Sequence, residues 1–154
     1  MEAINLMTIN KEVVVEASKQ TAFDVFTQKI DLWWPKTHHI GKTPLVESVL
    51  EGKTGGRWYS RHEDGSEVEI GKVLIWDPHD HLTLAWQVNG NFEYDPQLVT
   101  EVVVNFIPTM SGATRVTMEH RDIQKLMGGA KIIADMDQGW GMILNLYKKV
   151  ADEA

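Results

Sequence analysis

Residues 131–150, KIIADMDQGWGMILNLYKKV, constrain the fold more than any other stretch of the chain. Ile133, Met136, Trp140, Ile143, Tyr147 and Val150 recur at alternating spacings of three and four, which places all six along one side of a helix. Asp135, Asp137, Gln138, Asn145 and Lys148 take the other side. The ends agree in charge. Asp135 and Asp137 sit near the positive N-terminal end, and Lys148 and Lys149 near the negative C-terminal end. Gly128-Gly129 separates this helix from what precedes it. About twenty helical residues reach ~30 Å, enough to cross a small domain. Gly139 and Gly141 flank Trp140, and each costs ~1 kcal/mol relative to alanine in a helix interior. Close packing around the indole is one account of that expense; room left beside it for a ligand is the other.

An amphipathic helix of this length needs an apolar surface to cover, and the chain before it supplies one. Val13, Val14 and Val15 favour a first strand over roughly residues 6–16. Ser18 is placed to cap a helix starting at Lys19, with Ala22, Phe23, Phe26, Ile30 and Trp33 at helical spacing and Pro35 ending the pattern. From Leu45 to Arg121 the period becomes two. Strands are expected at 46–50, 57–61 and 67–76, the last two joined by the Glu63-Asp64-Gly65 turn. The alternation in the third slips frame at Gly71, which predicts a bulge. Leu82, Leu84, Trp86 and Val88 alternate cleanly, and Asn89-Gly90-Asn91 opens a loop running to Pro96. Leu98, Val102, Val104 and Phe106 share one face of the next strand. Thr114, Val116, Met118 and His120 share one face of the last. A sheet with one apolar face must bury it, and the long helix is the only element large enough to do so. The pattern therefore predicts an α+β architecture in which a curved antiparallel sheet grips one long C-terminal helix, with two short helices after the first strand.

Composition narrows the function. At 154 residues the chain is read as one domain, 1–154, and its net charge of −7 argues against nucleic acid or an anionic membrane surface as partner. The absence of cysteine removes disulfides, thiolate metal sites and cysteine nucleophiles together. No apolar run approaches a membrane span and no basic-then-apolar leader opens the chain, so a cytoplasmic location is expected.

Several short motifs, in order, resemble a known family. They are Ala22-Phe23-Asp24-Val25-Phe26 closing at Trp33-Trp34, then Gly55-Gly56-Arg57-Trp58, then Gly71 through Asp77-Pro78 to Leu82 and Trp86. Gly112-Ala113-Thr114-Arg115-Val116 leading to His120, and Gly139-Trp140 with Leu144, complete the set. Together they resemble the SRPBCC (START-like) superfamily, and within it the group named for homology to the activator of the heat-shock-protein-90 ATPase. The resemblance implies the helix-grip (START/Bet v-like) fold, about seven strands around the C-terminal helix with a hydrophobic cavity between them. Relatives with this fold include cyclases, lipid carriers and hormone receptors, so the fold alone does not select a function.

The candidate site residues are aromatic. Six tryptophans in 154 residues is rich, and each can serve simply as core. As a group Trp34, Trp58, Trp86 and Trp140 are expected to wall a ligand cavity, with Met118 and Met136 as adaptable surface. His120 shares the parity of Val116 and Met118 and is expected to face the same cavity, as an orienting donor or a candidate acid/base group. His38-His39 and His79/His81 lack the spacing of a zinc site, no nucleophile or phosphate-loop motif is present, and no metal or cofactor is expected. Three readings follow. The first is binding of a small hydrophobic molecule such as a lipid, polyketide or aromatic metabolite, by a monomer or homodimer. The second is a cavity-based cyclase, dehydratase or hydrolase using His120. The third is a chaperone-related interaction module.

Overall fold

In the computed structural model, which describes residues 8–126 and 129–154, the valine-rich opening forms strand β1, Ile9–Val15. The expected start of that strand before residue 8, and the Gly128 break, lie outside the described residues. Ser18 caps helix α1, Lys19–Thr27, its hydroxyl accepting from the Thr21 amide at 3.1 Å. The helical pattern does not run unbroken to Pro35. It breaks after Thr27 and resumes as a 3₁₀ turn, Ile30–Leu32.

Six strands follow: β2 Leu45–Leu50, β3 Arg57–His62, β4 Glu67–Asp77, β5 His81–Trp86, β6 Thr100–Pro108 and β7 Thr114–Arg121. All neighbours pair antiparallel, in the order β1-β7-β6-β5-β4-β3-β2. The chain therefore closes β1 onto β7 at one edge and leaves β2 at the other. Helix α2, Gly129–Asp152, lies along the inner face. This is the helix-grip fold.

Sheet curvature has a local cause in β4. Its pairing with β3 shifts register between Trp58 and Tyr59, opposite Gly71 and Glu69, so Ile70 is the extra residue of a bulge. The pairing with β5 shifts again between Val73 and Ile75. Gly71 sits at the tightest point: a Cβ there would fall 1.7 Å from the Ala85 carbonyl oxygen, so no other residue fits. The bend turns Trp58, Trp86 and Ile70 inward toward α2.

On α2 the buried stripe contains Trp140, Ile143, Leu144, Tyr147 and Ala151, with Ile133, Met136 and Val150 at its margins. Tyr147 is fully buried and its hydroxyl donates to the Ala22 carbonyl at 2.7 Å, tying α2 to α1. Lys11 reaches across from β1 to Asp137 at 3.1 Å, passing the bare backbone of Gly141.

Candidate functional site

Three tryptophans from three separate elements converge near the middle of α2. Trp34 follows the 3₁₀ turn, Trp86 ends β5, and Trp140 comes from α2. Ring centroids lie 6.0 Å apart for Trp34 and Trp140 and 5.9 Å apart for Trp86 and Trp140, in edge-to-face or tilted contact. Each indole N–H is already used. Trp34 donates to the His38 carbonyl at 2.8 Å, Trp86 to the Val88 carbonyl at 3.0 Å, and Trp140 to Nδ1 of His120 at 3.1 Å. What these side chains present is therefore ring surface.

Against those rings lies a cavity of about 290 Å³, just under the lower end of the ~300–1,000 Å³ range for small-molecule sites. Thr37 to Ile40 form one wall. Ile70, Val88 and Phe92 contribute from the sheet and the loop after β5. From α2 come Ile132, Asp135, Met136, Gly139, Trp140 and Ile143. That set is a helical stripe, offset by one position at its start from the stripe the apolar spacing predicts. Asp135, expected on the polar side, borders the cavity because the stripe widens where the helix meets the mouth. Gly139 is part of the same wall: a Cβ added there would meet nothing within 4 Å.

Of the seven expected site residues, Trp34, Trp86, Met136 and Trp140 line this cavity, and Trp58, Met118 and His120 do not. Trp58 stands behind the lining, edge-on to Trp34 at 5.9 Å and against Trp86 at 5.6 Å. Met118 and His120 are buried on β7, at 1% and 0% exposure.

The surroundings of His120 define its chemistry. An indole N–H can only donate, so Nδ1 of His120 accepts from Trp140 and the imidazole proton sits on Nε2. Nε2 then donates to Thr100 Oγ1 at 2.9 Å, and the Thr100 hydroxyl donates to the Trp86 carbonyl at 3.0 Å. The chain Trp140–His120–Thr100–Trp86 thus pins two cavity walls to each other through the sheet. Burial pushes the His120 pKa down to about 3, so the ring is neutral near pH 7. Both nitrogens are occupied and the ring stands behind the lining. In this geometry His120 orients the walls and has no free nitrogen to offer a substrate as acid or base.

The outer walls are loops, and sequence reasoning did not place them. Residues 37–43 are anchored by buried His62 on β3, which donates from Nδ1 to the Thr43 carbonyl at 2.8 Å and accepts at Nε2 from Ser60 Oγ at 2.7 Å. Gly41 lies flat on that ring: a Cβ would fall 2.4 Å from it. The loop after β5 is organised by Asn89, whose Oδ1 accepts from the amides of Asn91 and Glu93 at 2.9 and 3.1 Å. Phe92 results, left-handed at φ 61° and 61% exposed, at the cavity mouth. Neither device has a sequence signal beyond the Asn89-Gly90-Asn91 turn. Among the described residues no three His, Asp or Glu side chains converge as a metal site would require, and no helix is long and apolar enough to cross a membrane.

A curved sheet gripping a helix, with an aromatic-walled cavity between them, defines a helix-grip protein of the START-like kind. The chain belongs to the family described as Activator of Hsp90 ATPase homolog 1-like protein, whose model matches residues 16–152. Among solved structures it is similar to CalC from Micromonospora echinospora, described as a self-sacrificing resistance protein. The two share 33% identity over 95% of this chain and 94% of that one, with a TM-score of 0.71. It is also similar to Txn09, an anthrahydroquino-gamma-pyrone synthase, at 32% identity over 90% and 96% of the two chains and a TM-score of 0.63. The Aha1 dimer from Colwellia psychrerythraea shares the fold at 15% identity, 94% and 96% coverage and a TM-score of 0.66. No curated protein matches the sequence.

Proposed function

We propose that this chain binds a small hydrophobic molecule with an aromatic body between α2 and the sheet. The observation that carries the reading is the cavity itself: its walls include three tryptophan rings, and their N–H groups are already spent on protein acceptors. A flat apolar guest gains stacking area there without leaving an indole N–H unpaired. One relative above 30% identity supports the same class, being named as a synthase of an anthrahydroquino-gamma-pyrone. A chaperone role rests on the family description alone, and no feature of the cavity favours it.

Direct titration tests the reading. Trp86 and Trp140 border the cavity, so entry of a naphthalene- or anthraquinone-type compound should quench or shift tryptophan emission with saturation. The same compound should raise the melting temperature. Trp86→Ala should weaken that binding at least ~10-fold, since it removes one whole wall. Saturable binding that survives Trp86→Ala unchanged would place the guest elsewhere. No binding across a panel of fused-ring compounds would remove the proposal.

A further inference from the structure

The charges around the cavity are one-sided. Among its described lining residues there is no lysine or arginine; the one carboxylate is that of Asp135, and the loop wall adds the imidazoles of His38 and His39. Asp135 stands one turn before Gly139 on α2, with its side chain half exposed at the mouth, while Trp34, Trp86 and Trp140 line the inside. Resting on the binding role proposed above, we infer that the preferred guest carries a protonated amine on its aromatic body, and that the cavity discriminates against the matching carboxylate.

Three physical effects act in the same direction. An ammonium at the mouth meets a carboxylate and lies beside three indole rings whose N–H groups are each already paired to an acceptor, a setting that admits cation–π attraction. A carboxylate in the same position would lose hydration beside apolar walls, with no lysine or arginine in the described lining to replace it, and would face Asp135 as a like charge. The protein's net charge of −7 adds a field that draws cations and repels anions. Lys131 is the one competitor: its Nζ lies 2.9 Å from Asp135 Oδ2. That side chain is 85% exposed, and an exposed i,i+4 pair is among the weakest of ion pairs, so a guest ammonium held also by ring faces displaces or shares it.

The test uses three guests of one shape: 2-naphthylmethylamine, 2-naphthylmethanol and 2-naphthoate, titrated by calorimetry at pH 7 and low salt into the intact protein. The amine is expected to bind most tightly, roughly 10-fold or more above the carboxylate, with the alcohol between. Asp135→Asn should bring the amine to the level of the alcohol measured on the same variant. Lys131→Ser should strengthen the amine alone. If the alcohol binds but the amine holds no advantage over the carboxylate, or if Asp135→Asn leaves that advantage intact, the charge inference is overturned while the aromatic-binding role stands. If none of the three binds, the binding role itself fails and the inference with it.

Discussion

The two ends of the space between α2 and the sheet are built from the same kind of side chain and come out differently. At one end Phe23, Phe26, Trp33, Phe106 and Tyr147 fill the volume, with Phe26 5.0 Å from Trp33 and 5.1 Å from Tyr147. At the other, Trp34, Trp86 and Trp140 surround a cavity of about 290 Å³. Aromatic content does not separate them. What separates them is the cover. The filled end is closed by α1 and the 3₁₀ turn, which push Phe23, Phe26, Ile30 and Trp33 inward at helical spacing. The open end is closed by loops, and α2 offers it a glycine at 139 where the filled end receives Tyr147. One helix is thus a packed strut at its C-terminal half and a cavity wall at its N-terminal half.

The largest effect expected from this contrast is on stability. Phe26→Ala at the filled end should cost ~3–5 kcal/mol in denaturant unfolding, because the rings around it cannot collapse into the space. Binding of an aromatic guest, measured where the variant remains folded, should be unchanged. Trp140→Ala should cost a similar ~3–5 kcal/mol, since the residue is only 3% exposed and its loss also leaves Nδ1 of His120 unpaired. It should abolish binding as well. Equal loss of binding in both variants would break the division into strut and wall.

A second difference lies in how each end ties its polar atoms. Tyr147 at the filled end donates to a backbone carbonyl, and burial holds its hydroxyl protonated well past the ordinary tyrosine range. His120 at the open end is a group that titrates in water near pH 6.5 and is held neutral here, its pKa lowered to about 3 by burial. The unfolded chain therefore binds one more proton than the folded chain between those two values. Stability from this group is complete above pH 6.5 and falls as pH drops through that window. Going from pH 7 to pH 5 should remove ~2 kcal/mol of unfolding free energy that a His120→Gln variant does not lose. The variant will be less stable at pH 7, because it disturbs the Trp140–His120–Thr100 chain. The informative quantity is the difference in pH slope between the two proteins. Identical slopes would mean that His120 reaches water in the folded state.

The same contrast explains what the sequence made legible. The filled end follows from local pattern: Ser18 caps α1, apolar residues repeat at helical spacing, and Thr114 to His120 alternate in and out of the sheet. The three tryptophans of the open end were visible too, as bulky residues with nowhere else to go. Its loops were not. The wall at 37–40 depends on a hydrogen bond from His62, nineteen residues distant from Thr43, and on Gly41 lying against that ring. Phe92 is aimed by the backbone amides gathered on Asn89. Such long-range or turn-specific bonds leave no periodicity. Asp135 is exposed as the helical pattern expects, but its place at the cavity mouth is not legible for a related reason. Polar residues on a helix read as solvent-facing, whereas a cavity mouth is partly solvent.

The smallest effect is the most discriminating, and it returns to the two glycines of α2. Alanine at either position should raise stability by ~0.5–1 kcal/mol, because a helix interior disfavours glycine by about that amount. Neither meets a steric obstacle. At Gly139 the added methyl finds nothing within 4 Å, and at Gly141 the nearest atom is Nζ of Lys11 at 3.8 Å, an ordinary contact. Their surroundings differ in kind, however. The methyl at 139 projects into the cavity, while that at 141 projects under a lysine stem on the β1 side. Gly139→Ala should therefore gain stability and lose affinity for a naphthalene-sized guest, and Gly141→Ala should gain stability with affinity intact. If Gly139→Ala binds as well as the parent protein, the guest does not occupy this cavity. If Gly141→Ala loses as much affinity as Gly139→Ala, the loss acts through the stiffness of α2 rather than the space beside it. A glycine kept at 139 against its helical cost, with empty volume in front of it, is otherwise hard to account for by packing.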